Sequence, residues 1–332
     1  MPRRDPPLAG AAGAGFPCRR SAHRRTALRP DPGFSGVAEA GGEAVTDAVM
    51  SVVIATRDRG AELARTLRLL TALPDRPQIV VVDNASSDGT AAMVAADFPQ
   101  VLLIRLAANT GAAARNVGVR AAGTRYVAFS DDDSWWERGS LDAAARILDD
   151  HPRLGLVAAT TLVGPDREPD PVNALMAASP LPVRPDLPGP PVRGFLACAS
   201  VVRRAAFLDA GGFHPLLFFS GEEALLAMDL AARGWECCHV AELCAVHEPS
   251  QARPPGGRRV IELRNTLLTS WLRRRVPVAA SETARLARMA AHDLEARAAF
   301  GAALRRLPRA LALRRPVPAG VERELRLLEG SA

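Results

Sequence analysis

Short apolar runs alternating with helix-periodic stretches constrain this chain more than any other feature. Ser51–Thr56 (SVVIAT), Gln78–Asp83 (QIVVVD), Val101–Leu106 and Tyr126–Ser130 (YVAFS) read as strands. QIVVVD is almost wholly apolar, as strands buried on both faces are. Between these runs, Ala61–Leu73 sets Leu63, Leu67, Leu70 and Leu73 on one helical face. Asp88 can cap a helix running to about Asp97, and Ala112–Ala122 is helical. A helix over 141–149 and a strand over 154–159 extend the series. This βαβα rhythm predicts an α/β fold, Rossmann-like, with a mostly parallel sheet and helices on both faces.

The flanks read differently. Residues 1–48 are rich in Pro, Gly, Ala and Arg without periodicity, and are expected to be a disordered extension dispensable for function. Residues 164–193 hold nine prolines and read as one long irregular segment, the usual setting of a lid or binding loop. A strand at Phe195–Val202, a turn at Gly211–Gly212, a helix over 223–233 and a strand at Trp235–Val240 close a body spanning 49–250. Residues 251–332 read as a helical extension, with helices over 260–274, 282–307 and 321–328.

Composition removes several function classes. All 42 basic residues are Arg, so a Schiff-base or P-loop lysine chemistry is excluded. No stretch approaches the roughly 20 consecutive apolar residues of a membrane span. The net charge of +6 is uneven: residues 50–250 hold 18 Arg and 24 acids, residues 251–332 hold 17 Arg and 7 acids. A basic tail on an acidic body suits anionic lipid or a phosphate-bearing substrate, or is simply a solvated helical surface. No nucleic-acid partner is expected. Cys18, Cys198, Cys237, Cys238 and Cys244 form no C-x-x-C pair and read as small buried residues of a reducing compartment. Adjacent Cys237 and Cys238 would face opposite sides of a strand. The N-terminal Arg pairs precede no apolar stretch of a signal peptide, so a cytoplasmic location is expected.

In an open α/β sheet, ligands bind outside the carboxyl ends of the strands. Here Thr56-Arg57-Asp58, Asp83-Asn84 and Asp131-Asp132-Asp133 stand at those ends. Alternate carboxylates Asp131 and Asp133 can converge on one divalent cation, with substrate phosphates completing its shell and Asp132 left for backbone or ribose. A capped turn explains an isolated acidic triplet as well, while Trp135 and Trp136 stand where an EF-hand loop needs its glycine. Asp83 can accept from a base N–H or a ribose hydroxyl, and Ser87–Thr90 supply a turn and a helix cap. Asn109-Thr110-Gly111 and Arg115 come next; Arg115 either reaches a diphosphate or decorates a helix surface. Glu222-Glu223 opens a helix, as a cap favoured by the dipole or as a general base. His247 is either a structural residue or a member of the metal shell.

In order and spacing, SVVIATRDRG (51–60), VVVDNASSDGT (80–90), NTGAAARNVG (109–118), YVAFSDDD (126–133), GGF (211–213), SGEEALLAMDL (220–230) and His247 resemble the family 2 glycosyltransferases, inverting enzymes of the GT-A fold. The likeness covers about Met50–His247 and continues weakly through Arg264-Asn265. It implies that Thr56, Arg57, Asp58 and Asp83, with Asn84, Asn109, Gly111, Arg115 and Asp132, bind a nucleotide-sugar donor. It further implies that Asp131 and Asp133, joined by His247, hold Mg²⁺ or Mn²⁺ on the diphosphate. The acidic pair would supply the base. The family usually has Glu-Asp there, so Glu223 takes that role by alignment and Glu222 stays open. The later Asp of that helix is replaced by Leu225, and the QxxRW motif of processive synthases is missing. Single sugar additions to a glycan or lipid-linked acceptor, in cell-surface polysaccharide or glycoconjugate synthesis, are therefore expected.

Trp135, Trp136 and the proline-rich segment are candidate walls of an acceptor pocket, whereas Phe218 and Phe219 are expected in the core. The basic helices after Arg253 are expected to touch a membrane peripherally. A sugar-nucleotide pyrophosphorylase would need a lysine-bearing, Gly-rich loop where this chain has ATRDRG. A non-catalytic GT-A scaffold or carbohydrate-binding protein is the alternative.

Overall fold

Residues 38–41, 48–249 and 257–330 are described by a computed structural model. The sheet is built on β2 (Met50–Thr56), β3 (Gln78–Asp83), β4 (Leu102–Arg105) and β5 (Tyr126–Ser130). These four are parallel, in the order β4-β3-β2-β5. β1 (Ala38–Gly41) pairs antiparallel with β4, so part of the segment expected to be disordered is a strand; the remainder of that expectation lies outside the described residues. Beyond β5 the sheet continues through β9 (Ser200–Arg203), β7 (Leu154–Val163), β10 (Glu236–His247) and β6 (Ser134–Trp136), with β8 (Glu168–Pro169) paired to β7. β9 runs antiparallel between β5 and β7, and β6 returns antiparallel on β10. The sheet is thus mixed, with a parallel half that carries the strand ends.

Each face buries its own core. On one, Val52, Ile54 and Val81 meet Leu63, Leu67 and Leu70 of α1 (Gly60–Thr71) and Leu141 and Leu148 of α4 (Ser140–Asp150), while α2 (Thr90–Asp97) adds Val94. On the other, Val53, Val80 and Val82 meet Ala114 and Val117 of α3 (Ala114–Ala121). Phe207 of α6 (Arg204–Ala210) and Leu226 and Leu230 of α7 (Glu222–Ala232) complete that side. There Phe129, Phe207 and Phe213 pack with ring centroids 5.4–5.6 Å apart. Cys238 joins the first core and Cys237 the second, as the pleat demands.

Several elements depart from expectation for local reasons. Within the proline-rich segment, α5 (Pro171–Ala177) forms because Asp170 caps it, accepting from the Val172 N–H at 2.8 Å, with proline in the first turn. The strand expected at Phe195–Val202 is a 3₁₀ turn over 197–199 followed by β9. β10 runs on to His247 across an irregularity between Val240 and Cys244, where exposed Ala241 and Glu242 interrupt the apolar pattern. The helix expected over 282–307 is two, α9 (Val276–Ala290) and α10 (Leu294–Ala312), split at Asp293, whose carboxylate accepts from the Glu295 and Ala296 N–H groups.

α8 (Arg258–Arg273), α10 and α11 (Ala319–Gly330) pack on α7, Leu225 against Leu268, Leu272 and Ala310, and Met228 against Val321 and Leu325, while α9 packs on α8 and α10 through Leu286. Among the described residues, no helix is long and apolar enough to cross a membrane.

Helix α3 lies so close to the sheet that a Cβ on Gly118 would stand 2.5 Å from Val53 Cγ1 and 3.1 Å from Val82 Cγ2. Gly118→Ala should cost about 1–3 kcal/mol by overpacking, measured as a lower urea midpoint. Val53→Ala in the same chain should return part of that loss; purely additive losses would refute the contact.

Candidate active site

Register brings the polar strand ends into one row. Thr56 pairs with Asp83, Asp83 with Arg105, and Ile54 with Ser130. After Ser130 the chain turns at once into β6, the Asp131 N–H donating to Ser134 Oγ at 2.7 Å. Asp131–Asp133 are therefore a tight turn between two strands. Three adjacent carboxylates repel one another, and two arginines from separate elements answer them. Arg59, just before α1, lies 2.8 Å from Asp132 through Nε and 2.8 Å from Asp133 through Nη2. Arg115 of α3 pairs with Asp131. Thr56 Oγ1 donates to Asp132 at 3.0 Å. Burial pushes Asp132 up to about 7, against the pull of Arg59 and with the push of Asp131 and Asp133.

His247 arrives by topology. β10 pairs with β6 so that His247 stands opposite Ser134, which leaves Nε2 3.4 Å from Asp133 Oδ1. Ligand atoms of Asp131, Asp133 and His247 all lie within 4.8 Å of one another. Two carboxylates and an imidazole are donors that a divalent first-row cation accepts, so the residues present fit such an ion.

The opposite wall is the loop after β4. Asn84 Nδ2 donates to the Gly111 carbonyl at 3.1 Å, the Thr110 N–H to Asn84 Oδ1 at 2.8 Å, and the Gly111 N–H to Asn109 Oδ1 at 2.9 Å. Gly111 has φ +62°, and a Cβ there would strike the Phe218 backbone, whose carbonyl accepts from the Ala112 N–H at 2.6 Å. Only glycine fits such a position. Thr56, Arg57, Asn84, Gly111, Arg115, Asp131 and Asp132 line one cleft of about 120 Å³, closed on one side by Phe219.

Asp58, Asp83 and Asn109 lie outside this lining and brace the loops instead. Asp58 Oδ1 accepts from the Ser87 N–H at 2.6 Å, which holds its carboxyl below the usual range, and its own N–H donates to Ser86 Oγ. Asp83 is buried and accepts from the Ser86 N–H at 2.9 Å. Trp136 is core, its indole N–H donating to the Phe129 carbonyl at 3.1 Å. Phe218 and Phe219, expected in the core, are each 40% exposed, because their loop lies over residues 111–112.

Glu222 and Glu223 open α7 after Gly221 at φ +84°. Glu222 is 2% exposed, and its Oε2 has no hydrogen-bond partner among the described residues. Burial, reinforced by the charge of Glu222, pushes Glu223 up to about 8; burial likewise raises Glu222. Burial opposes the Arg115 cation, yet Asp131, Glu222 and Glu223 together hold it above the ordinary guanidinium value. One arginine thus answers both carboxylate clusters.

Two contributors carried no assigned role in the sequence. Arg59 sits in the first strand-end cluster, where its only signal was a demand for counter-charge in a chain without lysine. Asn265 of α8 donates from Nδ2 to the Leu217, Phe219 and Ser220 carbonyls at 3.1, 2.7 and 2.6 Å, fixing the loop that leads into Glu222.

Residues 51–210 match Glycosyl transferase family 2. The chain carries a family 2 domain and is a glycosyltransferase. It is 26% identical over 256 residues to an N-acetylglucosaminyl-diphospho-decaprenol L-rhamnosyltransferase of Mycobacterium tuberculosis, covering 66% of this chain and 83% of that protein. Among solved structures it resembles S. aureus TarS 1–349 in complex with UDP-GlcNAc, with a TM-score of 0.55, 18% identity and coverage of 80% and 83% of the two chains. Of a longer TarS chain it spans 41%. It also resembles a Pyrobaculum calidifontis mannosyltransferase in complex with GDP-Man and Mn²⁺, with a TM-score of 0.52, 22% identity and coverage of 85% and 86%. These likenesses establish the GT-A fold.

If Arg115 balances both acidic clusters of the glycosyltransferase, Arg115→Met should cost about 3–5 kcal/mol at neutral pH, as removal of one partner of a buried pair does. The carboxylates left behind hold their protons more tightly when folded than unfolded, so the deficit should shrink as pH falls. Urea unfolding at two pH values checks this; an unchanged midpoint at neutral pH would refute it.

Proposed function

We propose that this enzyme transfers a single sugar, with inversion, from a nucleotide-diphosphate donor to an acceptor hydroxyl, using a divalent cation. The observation that carries this reading is the position of Arg115, which faces Asp131 on one side and Glu222 and Glu223 on the other. It joins a donor-side carboxylate cluster to a base within one electrostatic unit.

Asp131, Asp133 and His247 would hold Mg²⁺ or Mn²⁺, which when bound supplies Lewis-acid stabilisation of charge on a leaving diphosphate. Thr56, Arg57 and Asn84 border the donor, with Asp83 and Asp58 keeping their loops in place. Arg115 can turn its buried fork from Asp131 to a phosphate oxygen, a charge-assisted contact strengthened by dehydration. Glu223 then takes the proton of the acceptor hydroxyl as that oxygen attacks the anomeric carbon. A carboxylate with a raised pKa is a stronger base near neutrality than an ordinary one. A single base on the acceptor side, with no covalent intermediate, inverts the configuration. Glu222 flanks it and raises its basicity by charge.

A glycan or lipid-linked acceptor suits this enzyme, given a relative named for transfer to a diphospho-decaprenol. The work would fall within cell-surface polysaccharide or glycoconjugate synthesis. The basic extension would let the protein act from the cytoplasm on a membrane surface. A scaffold has no use for a base raised in this way.

Asp133→Ala should lower metal-dependent donor affinity by at least about tenfold and abolish transfer. Glu223→Gln should spare donor binding and reduce turnover roughly 10²–10⁴-fold. Full transfer by either variant in a radiolabelled-donor assay would remove the role given to that residue. Because the base must be deprotonated, wild-type kcat/KM should climb with pH through about 8 and level above it; a flat profile across that value would exclude Glu223.

A further inference from the structure

The candidate cation ligands come from two distant segments, the turn before β6 and the end of β10. β6 has three residues and lies at the edge of the sheet, where its partner among the described strands is β10. Past the His247–Ser134 pair, the Glu248 N–H donates to the Asp133 carbonyl at 2.9 Å. Glu248 is thus joined to both halves of the site, by a peptide bond to His247 and by a hydrogen bond to Asp133. Pro249 follows and has no N–H with which to prolong the ladder.

Glu248 is in turn gripped from α1. Arg65 meets its carboxylate with both terminal nitrogens: Nη2 stands 2.8 Å from Oε1, and Nη1 bonds Oε2. The same guanidinium lies 5.1 Å from the centroid of the Trp135 ring on β6, so it is stacked as well as paired. Thr66, the next residue of α1, donates from Oγ1 to the Asp132 carbonyl at 2.8 Å. Arg65, Thr66, Asp133, Trp135 and Glu248 line one pocket of about 270 Å³. One helix therefore holds the aspartate turn through Thr66 and the end of β10 through Arg65.

We propose that Arg65 is a positioning residue for the cation site: by fastening Glu248 to α1, it sets where His247 stands relative to Asp133. The inference rests on the cation reading above and deepens it. A guanidinium engaged through two nitrogens and stacked on an indole has fewer orientations than an ordinary surface ion pair. It also acts where the β6–β10 ladder ends, so nothing further along that ladder can substitute for it. Outer partners of metal ligands typically change metal affinity by about 10–100-fold. The charge of Arg65 works in the opposite direction, because a cation beside the site disfavours a divalent ion. Position and charge therefore predict opposite signs for its removal.

Titration of the full chain with Mn²⁺ alone, reading free Mn²⁺ by electron paramagnetic resonance, tests this without any transfer assay. Wild type should bind Mn²⁺, and Asp133→Ala should abolish that binding. Arg65→Ala removes a positive charge, yet should weaken Mn²⁺ binding by about tenfold. Arg65→Lys, which keeps the charge without the fork, should fall between the two. The Arg65 side chain is 54% exposed, so the urea midpoint of either variant should stay near that of wild type.

Unchanged or tighter Mn²⁺ binding by Arg65→Ala would overturn the positioning role and leave the cation reading standing. A lysine variant as weak as the alanine one would support the fork over the charge. Wild-type protein that binds no Mn²⁺, or binds it as well after Asp133→Ala, would remove the cation reading itself, and the role of Arg65 with it.

Discussion

Mutual repulsion among Asp131, Asp132 and Asp133 is the constraint around which this fold is arranged. Buried neighbouring carboxylates cannot all ionise without compensation, and the compensation comes from both faces of the sheet. Arg59 stands at the entry to α1, in the layer covering one face, and Arg115 lies on α3, covering the other. Moving either helix by a fraction of a turn would strand a charge. Under the proposed function the same pairing would ready the site for chemistry, because Arg115 is already dehydrated and oriented by Asp131.

That electrostatic frame depends on tight backbone packing. Gly118 lets α3 settle on Val53 and Val82, and this close approach delivers Arg115 three residues earlier in the same helix. Gly111 does the same at the other end of the segment, where its left-handed backbone admits the Phe218 carbonyl. Two missing side chains thus set the depth of a charged one and the closure of the cleft above it.

The parallel half of the sheet was legible because its strands announce themselves as short, mostly apolar runs, and because strand ends gather the polar residues of an open α/β sheet. The triplet at 131–133 and the strand-end residues Thr56, Arg57 and Asn84 could therefore be placed together without coordinates. What local pattern alone did not show, and what for His247 only the family resemblance suggested, depends on pairing between distant segments. His247 reaches Asp133 only because β10 overruns its apolar stretch and takes up β6, a three-residue strand whose tryptophans resembled pocket walls. α5 was masked by proline density, although Asp170-Pro171 is a start signal in its own right. Phe218 and Phe219 read as core by composition, but their loop is spent on covering Gly111 and so leaves both rings partly in solvent.

The C-terminal helices reach this site through the loop at 217–220. Asn265 gathers three carbonyls of the 217–220 loop, which has φ of +69° at Phe218 and +70° at Ser220, conformations unfavourable for side chains of either kind. Strain of that sort persists only where surrounding contacts over-determine it. Here those contacts are the Asn265 fan, the Arg264 bond to Leu217 and the packing of Leu217 against Leu268 and Leu272. The loop in turn fixes where α7 starts, and hence where Glu222 and Glu223 face Arg115. The acidic body therefore contributes the carboxylates, while the basic extension fixes the loop from which Glu222 and Glu223 begin.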